Sequence, residues 1–209
     1  NGIMRVSQGV TQRVCFLDGH DEADPYSVES HDHTEGTASH SHGLGDKMIV
    51  HEQHGMAKAR AALEAMNYTV EKVALLKSGS SLSGCALLVV AGPKTSLLAP
   101  EIAAIGKFLD DGYNAIFMLD PFVETGLDPV LEKFGVVAGK NIVIDPTSHF
   151  WADPSSPAVS DYNFHQITDK LPLTFFPGAP PLSPTSKQPP GVHVSQLLNS
   201  SKSSFGETT

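Results

Sequence analysis

The chain has 209 residues, of which 40% are hydrophobic and 18% are charged, so it can bury a sizeable core as an ordinary globular protein does. Its net charge of -9 argues against nucleic acid as a partner, because phosphate binding needs a basic surface. No apolar run approaches the roughly 20 residues that a membrane-spanning helix needs.

Two strands and a helix are predicted in the first third of the chain, around a long polar insertion. An apolar strand runs from Arg13 to Asp18. From Ala23 to about Lys47 the sequence loses periodicity and becomes rich in Ser, His, Asp, Gly and Thr, which predicts a loop or an insertion. Helical spacing returns from His51 to Met66, with Asn67 as a left-handed stop. The alternation from Thr69 to Leu76 predicts a strand that is exposed on one side.

The stretch from Ala86 to Asp120 predicts a complete β-α-β unit. Its first strand, Ala86 to Ala91, is apolar throughout, as expected of a parallel strand that is covered on both faces. Pro100 suits the first turn of a helix, and Gly112 suits its end. The second strand follows from Ala115 to Leu119.

The remainder of the chain predicts shorter elements. Leu127 to Phe134 forms a short helix closed by Gly135, and Asn141 to Asp145 forms a strand. From Trp151 onward prolines become frequent, which predicts extended segments and loops. His193 to Leu198 could form one more strand.

This alternation predicts an α/β fold, a doubly wound and mainly parallel sheet of five or more strands in the flavodoxin-like order 2-1-3-4-5. Residues 1–150 would form the α/β domain, with the His-rich loop at about 23–50. Residues 151–209 would form a Pro-rich extension that packs on the same domain and could add an edge strand.

A ligand site is expected where the parallel strands end, because ligands bind there in doubly wound sheets. The predicted parallel strands end at Asp18, Gly92, Asp120 and Asp145, and three of these four residues carry a carboxylate. An acidic cleft is therefore predicted, which could bind a cation or a polyhydroxyl ligand such as a sugar. The candidate residues are Asp18, Gly19, His20, Asp21, Glu22, Gly92, Lys94 and Asp120. Alternatively, Asp120 and Asp145 only close their strands, since each precedes a proline and can cap the turn.

A histidine cluster offers a second candidate site, for a metal. Imidazole beside carboxylate is the donor set that zinc, nickel or copper selects. The candidate ligands are His31, His33, His40, His42, His51 and His54, and zinc or nickel would be the metal, although no cofactor is required. The alternative is a mobile polar insertion that binds metal adventitiously.

Sequence motifs for catalysis and nucleotide binding are missing. The chain has no GxSxG elbow after a strand, no GxGxxG and no GxxxxGK[ST], which disfavours nucleophilic, dinucleotide and P-loop chemistry. Cys15 and Cys85 each lie in or beside an apolar strand without CxxC spacing. They are interpreted as buried small hydrophobes rather than a disulfide or a nucleophile.

Several stretches together resemble a known family. They read FLDGHDEADP, LEAMNYTVEKVALL, LLVVAGPKTSLLAPEIAAIGKFLDDGYNAIFMLDP, FGVVAGKNIVIDP, YNFHQITDKLPLTFFPGAPPL and VSQLLNSSKSSFGET, and they extend from about Arg13 to the end. Their order and spacing resemble the auxiliary-subunit domain of bacterial ABC-type transport systems. That family includes the GldG-like gliding-motility proteins and is similar to the N-terminal domain of an intraflagellar-transport subunit.

The resemblance implies a non-catalytic, extracytoplasmic (periplasmic) domain of a membrane-anchored bacterial protein. It would work beside an ABC permease and its ATPase, bind a partner subunit or a small ligand such as a carbohydrate, and touch the membrane only through segments outside this fragment. Its fold would be flavodoxin-like and class I amidotransferase-like without their catalytic residues. The chain departs from the family's GHGE turn at Asp21, which replaces the second glycine.

Two other functions remain open at this stage. One is a metal-binding module built on residues 31–54, and the family's usual connection is shorter there. The other is an amidohydrolase or glycosidase that uses Asp18, His20 and Asp120. The chain begins at Asn1 without a Met or a signal peptide, so a fragment or a processed product is expected.

Overall fold

The computed structural model describes residues 11–28, 55–77, 81–150 and 152–208, and its central element is a parallel sheet. The strands are β1 (Gln12–Leu17), β2 (Tyr68–Val73), β3 (Cys85–Ala91) and β4 (Asn114–Met118), in the order β2-β1-β3-β4. The sequence predicted the strand order 2-1-3-4-5, and the structure confirms its first four strands. β1 and β3 occupy the middle of the sheet because their side chains are apolar on both faces.

Three helices are described: α1 (Ala57–Ala65), α2 (Ala99–Asp110) and α3 (Asp128–Lys133). The predicted stops are confirmed, since Asn67, Gly112 and Gly135 all have positive φ values, of 70°, 90° and 79°. α1 begins later than the sequence predicted, at Ala57, and residues 51–54 lie outside the described part of the chain.

Six short strands follow in the second half of the chain and pair antiparallel. They are β5 (Val136–Ala138), β6 (Ile142–Ile144), β7 (Ala158–Val159), β8 (Thr174–Phe175), β9 (Leu182–Pro184) and β10 (Phe205–Glu207). β9 pairs with β5, β10 with β6 and β8 with β7.

The predicted fifth strand of the parallel sheet is therefore placed differently. β6 covers most of the predicted strand Asn141–Asp145, but it is three residues long, half-buried, and pairs with β10 instead. A flavodoxin-like fold with five or more parallel strands is not confirmed. The strand expected from His193 to Leu198 is also wrong, because only Leu198 forms a bridge, to Tyr162. Both stretches have strand-like composition, yet pairing partners far away in sequence decide where such residues lie.

One face of the sheet carries a hydrophobic core. Val14, Phe16, Val70, Val89 and Ala91 are buried there. Side chains of α1 and of the segment after β1 pack over them, as do neighbours from the strands themselves: Ala23, Met56, Leu63, Tyr68 and Leu87. The segment after β1 is therefore part of the packed structure.

The two cysteines form a disulfide, so the interpretation that they are separate buried hydrophobes was wrong. Cys15 and Cys85 are fully buried and join β1 to β3, with 5.8 Å between their Cα atoms. Because β1 and β3 are neighbours, the register brings the cysteines within the usual span of a disulfide. Neither the spacing nor the composition of the sequence revealed that register.

The structure divides into two compact units. Unit 1 consists of Asn1–Gly92 and Phe108–Met118, and unit 2 of Pro93–Lys107 and Leu119–Thr209. The predicted domain boundary at residue 150 stays a prediction. In the part of the chain that is described, no helix has the length and apolar character needed to cross a bilayer.

Candidate functional site

The turn after β1 is closed by the carboxylate of Glu22. Its Oε2 accepts hydrogen bonds from the backbone N–H groups of Gly19 (3.1 Å) and His20 (2.8 Å). Its Oε1 lies 3.1 Å from Nδ1 of the His20 imidazole. Both residues are buried: Glu22 is 3% exposed and His20 is 7% exposed. Gly19 has a φ of 134°, which L side chains rarely adopt, so glycine is required there.

A lysine from β2 neutralises the acidic groups beside this turn. Lys72 Nζ lies 2.9 Å from Asp18 and 3.2 Å from Asp24. Burial alone would lower the pKa of Lys72, but its hydrogen bonds to the two carboxylates raise it above the usual value. Burial would raise the pKa of Asp24, yet the Tyr26 N–H and the Lys72 ammonium hold it below the usual value. Asp18 is therefore part of an ion-paired cluster.

The rest of the segment is hydrogen-bonded to two strands, β3 and β2. The N–H of Ala23 donates to Ala91 O of β3 at 2.8 Å, and the Tyr26 hydroxyl donates to Val70 O of β2 at 2.8 Å. The guanidinium of Arg60 stacks on the Tyr26 ring, 4.6 Å from its centroid. These contacts attach the segment to the carboxyl end of β3 and to the middle of β2.

The other predicted ligand residues lie at the ends of β3 and β4. In unit 1 the N–H of Gly92 donates to Met118 O at 3.0 Å. In unit 2 Lys94 Nζ forms an ion pair with Asp120 at 2.5 Å, at the surface. Asp120 also lines a cavity of about 40 Å³, enough for about one water molecule.

The structure thus brings the predicted site residues together in two groups, one in each unit. Asp18, Gly19, His20, Asp21 and Glu22 form the turn of unit 1, whereas Lys94 and Asp120 form the ion pair of unit 2. Sequence reasoning missed Lys72 and Asp24, and no local pattern marks either of them. Ligand binding by these residues stays a prediction.

The predicted metal ligands all lie outside the described residues. They are His31, His33, His40, His42, His51 and His54. Within residues 11–28, 55–77, 81–150 and 152–208, no group of three or more His, Cys, Asp or Glu side chains could hold a metal ion. The metal hypothesis therefore still depends on the sequence alone.

Asp145 caps the turn after its strand, as the alternative reading of the sequence predicted. Its fully buried carboxylate accepts hydrogen bonds from the N–H groups of Thr147 (3.0 Å), Ser148 (2.9 Å) and Ser201 (2.7 Å), and from the Ser201 hydroxyl (2.6 Å). Burial would raise its pKa, but the hydrogen bonds from Ser201, Ser148 and Thr147 lower it below the usual value. Asp145 therefore fixes the end of β6 to the C-terminal tail.

A larger cleft, which sequence reasoning missed, lies within unit 2. Its volume is about 470 Å³, and none of the described residues that line it is charged. Valine, leucine and proline side chains form most of the wall, among them Val159, Val194, Leu197, Pro180 and Pro184. The density of these residues after Trp151 was the available signal, but it was interpreted only as an extended wrapping segment.

Comparisons with known proteins give a family and, separately, a similar fold. The family model described as an ABC-type uncharacterized transport system, of auxiliary type, matches residues 11–209. The solved structure of the mmIFT52 N-terminal domain is similar, with a TM-score of 0.58 and 18% identity, over 83% of this chain and 68% of that one. At that identity the likeness shows the fold alone. A search of curated proteins gives no match.

Proposed function

This chain belongs to the auxiliary family of ABC-type uncharacterized transport systems, and we propose that it is a non-catalytic, extracytoplasmic domain that acts beside a permease and its ATPase. The observation that carries this proposal is the family match, which extends from residue 11 to residue 209. Transport systems of this type are assemblies, so the domain would bind a partner subunit or a small ligand. A membrane anchor would lie outside the present sequence.

The charged side chains at the strand ends already have hydrogen-bond or ion-pair partners, and this supports a non-catalytic role. A general base must reach the proton that it removes, and its side chain has to be available to the substrate. Glu22 instead accepts two backbone N–H groups and faces His20, while Asp18 is paired with Lys72. Asp120 is paired with Lys94. An amidohydrolase or glycosidase that uses Asp18, His20 and Asp120 would have to break their existing ion pairs or hydrogen bonds first.

The Cys15–Cys85 disulfide supports an extracytoplasmic location. Disulfides form and persist in oxidising compartments and are rare where thiols are kept reduced. Alkylating the thiols of intact cells before lysis and comparing electrophoretic mobility with and without reductant measures the state of the two cysteines. We expect an oxidised pair. Two alkylated thiols in the native protein would contradict this location.

The assembly itself is tested by coexpression with the permease and ATPase genes that we expect beside its own. The chain should copurify in detergent with a tagged ATPase, and it should be lost when the permease gene is omitted. A permease–ATPase complex that forms normally and never retains the chain would refute the proposal. Hydrolysis assays with amide and glycoside substrates complete the test, and turnover that disappears in Asp18→Asn would show catalysis.

Carbohydrate binding at the predicted residues is a finer part of the proposal. The ion pair of Lys94 and Asp120 is exposed and offers the donors and acceptor that sugar hydroxyl groups use. Sugars and peptides can be titrated against His20→Ala and Asp120→Ala, which probe the two groups separately, with the exposed Asp161→Ala as a control. Unchanged affinity in both test variants would place the binding site elsewhere.

A metal-binding module remains a second proposal, which rests on the six histidines between His31 and His54. Calorimetry with zinc and nickel should show tight binding that disappears when residues 29–54 are deleted. Binding to the intact chain that is no tighter than to a free histidine-rich peptide would refute it.

A further inference from the structure

The cleft of unit 2 has the size of a small-molecule site. Its volume is about 470 Å³, and clefts that hold small molecules measure about 300–1,000 Å³. All of the described residues that line it belong to unit 2. The wall includes Leu182, which is 58% exposed, and Val159, which is 5% exposed. The cleft therefore leads from exposed residues into the interior of the unit.

The lining of the cleft disfavours a charged ligand. Its described polar side chains carry only hydroxyl and amide groups: Ser183, Ser195, Gln196, Asn199 and Ser200. A charged group that entered the cleft would lose water without gaining an ion-pair partner, which is unfavourable. Hydroxyl and amide groups both donate and accept hydrogen bonds, so they suit a neutral polar group. The lining thus fits a ligand with an apolar body and uncharged polar groups.

Prolines make one wall of the cleft unsuitable for an added peptide strand. Pro180, Pro181 and Pro184 have no backbone N–H. The N–H of Gly139 donates to Pro181 O, and backbone direction alternates along a strand, so Leu182 and Pro184 direct their backbone groups away from β5. Of these two residues only Leu182 has an N–H. A bound strand would therefore find few donors here, which favours a small molecule over a peptide.

Backbone hydrogen bonds hold the walls in place. β9 pairs with β5 on one side. On the other side the N–H of Asn163 donates to Leu197 O at 2.9 Å, and its side-chain amide donates to Gln196 O at 2.6 Å. The N–H of Phe176 donates to Pro157 O at 2.9 Å. The cleft is therefore formed before a ligand arrives, and a preformed site loses less conformational entropy on binding.

We propose that this cleft binds an uncharged, largely apolar small molecule. Burial of the ligand's apolar surface against the valine, leucine and proline side chains drives binding. The side chains of Ser195, Gln196 and Asn199 hydrogen-bond to its neutral polar groups. The inference goes beyond the proposed function, because it requires neither the permease nor the ATPase. The proposed function therefore survives if the cleft binds nothing.

Two dyes that differ by one charged group test the proposal. N-phenylnaphthylamine is neutral, anilinonaphthalene sulfonate has the same rings and a sulfonate, and both fluoresce more strongly in an apolar site. Titration of the chain in about 0.5 M salt, which screens its net charge of -9, gives both affinities. We expect saturable binding of the neutral dye at a single site. The anionic dye should bind about tenfold more weakly, since the cleft offers its sulfonate no cation.

Matched variants locate the bound dye. Leu182→Lys adds a charge to the cleft and should weaken binding of the neutral dye about tenfold. Ser195→Trp should act alike because the larger side chain occupies the space. The control is Leu173→Lys, at a leucine of unit 2 that is 56% exposed and is not among the described residues lining the cleft. It should leave the affinity unchanged, and circular dichroism checks that each variant is folded.

Several results would overturn the proposal. One is the absence of saturable binding of the neutral dye, and another is equal affinity for the anionic dye. Binding that persists unchanged in both Leu182→Lys and Ser195→Trp would place the dye elsewhere. An equal loss in Leu173→Lys would show that the added charge acts without regard to the cleft.

Discussion

At the scale of single residues, two buried carboxylates show how this chain stabilises its turns. Glu22 receives donors from within its own turn, and Asp145 receives donors from the next turn and from the distant Ser201. Each buried carboxylate is tolerated because hydrogen bonds replace the water that it has lost. Removing either one would leave the N–H groups that bond to it without that acceptor.

Asp145→Ala should lower the free energy of unfolding by about 3 kcal/mol, because four hydrogen bonds to one charged acceptor are lost together. Chemical denaturation at neutral pH measures the change. The exposed Asp161→Ala is the control and should stay within about 0.5 kcal/mol of the parent. A similar loss in both variants would mean that the buried network of Asp145 contributes nothing specific.

The stabilisation from Asp145 should also depend on pH. Its folded pKa is lowered. The stabilisation is therefore fully present above the unfolded aspartate pKa of about 3.9 and is lost as the pH falls through the folded pKa. Unfolding measured across this acid range should show a smaller decline for Asp145→Asn than for the parent chain. Parallel curves would show that Asp145 does not contribute to acid denaturation.

Glu22→Ala should cost about 2 kcal/mol, since the N–H groups of Gly19 and His20 lose their acceptor. Glu22→Gln should cost less, because an amide oxygen still accepts hydrogen bonds. Urea unfolding distinguishes the variants. Glu64→Ala, which removes a surface ion pair at 3.9 Å, is the control and should have an effect near zero. Equal costs for Ala and Gln would argue against the hydrogen-bonding role.

At the scale of elements, the sequence predicted features that depend on neighbouring residues and missed features that depend on residues far away in the chain. Asn67, Gly112 and Gly135 end their elements through backbone conformations that the residues themselves favour, so the stops were predictable. Strand pairing is not local. The stretch around Ile142–Ile144 has strand composition, but β10, some sixty residues later, decides its place. The same limitation hid the cysteine pair, because the β1–β3 register shifts between Arg13 and Val14.

The disulfide between β1 and β3 should stabilise unit 1 by about 4 kcal/mol, since its sequence separation is 70 and the crosslink restricts the unfolded chain. Urea unfolding with and without reductant measures the difference. The double variant Cys15→Ala, Cys85→Ala should resemble the reduced protein and should not respond to reductant. Free thiols detected in the unreduced, denatured parent chain would contradict the disulfide itself.

At the scale of the whole molecule, the candidate site was predictable only as a set of strand ends. The sequence located Asp18, His20 and Asp120 correctly at the ends of β1 and β4, because parallel strands end at one edge. It could not show that Lys72 pairs with Asp18 or that Lys94 pairs with Asp120, since each lysine comes from a different element. The acidic cleft itself stays a prediction.

The C-terminal tail has a structural role in unit 2 that follows from its contacts. β10 is the strand that pairs with β6, and Ser201 supplies two of the donors to Asp145. A chain that ends at Ser200 would lose both interactions at once. A chain that ends at Glu207 would keep them and serves as the matched control.

Amide hydrogen exchange should therefore become faster at Ile142 and Ile144, which pair with β10, and at Thr147 and Ser148, which donate to Asp145, when the chain ends at Ser200. The N–H of Val143 donates to Ala179 O and should be less affected. The amides of β1 and β3 should exchange as before, since the pairing of β10 with β6 and the bonds from Ser201 to Asp145 both lie within unit 2. Unchanged protection in β6 would show that the tail does not stabilise unit 2. Equal acceleration in both units would show that loss of the tail unfolds the whole chain.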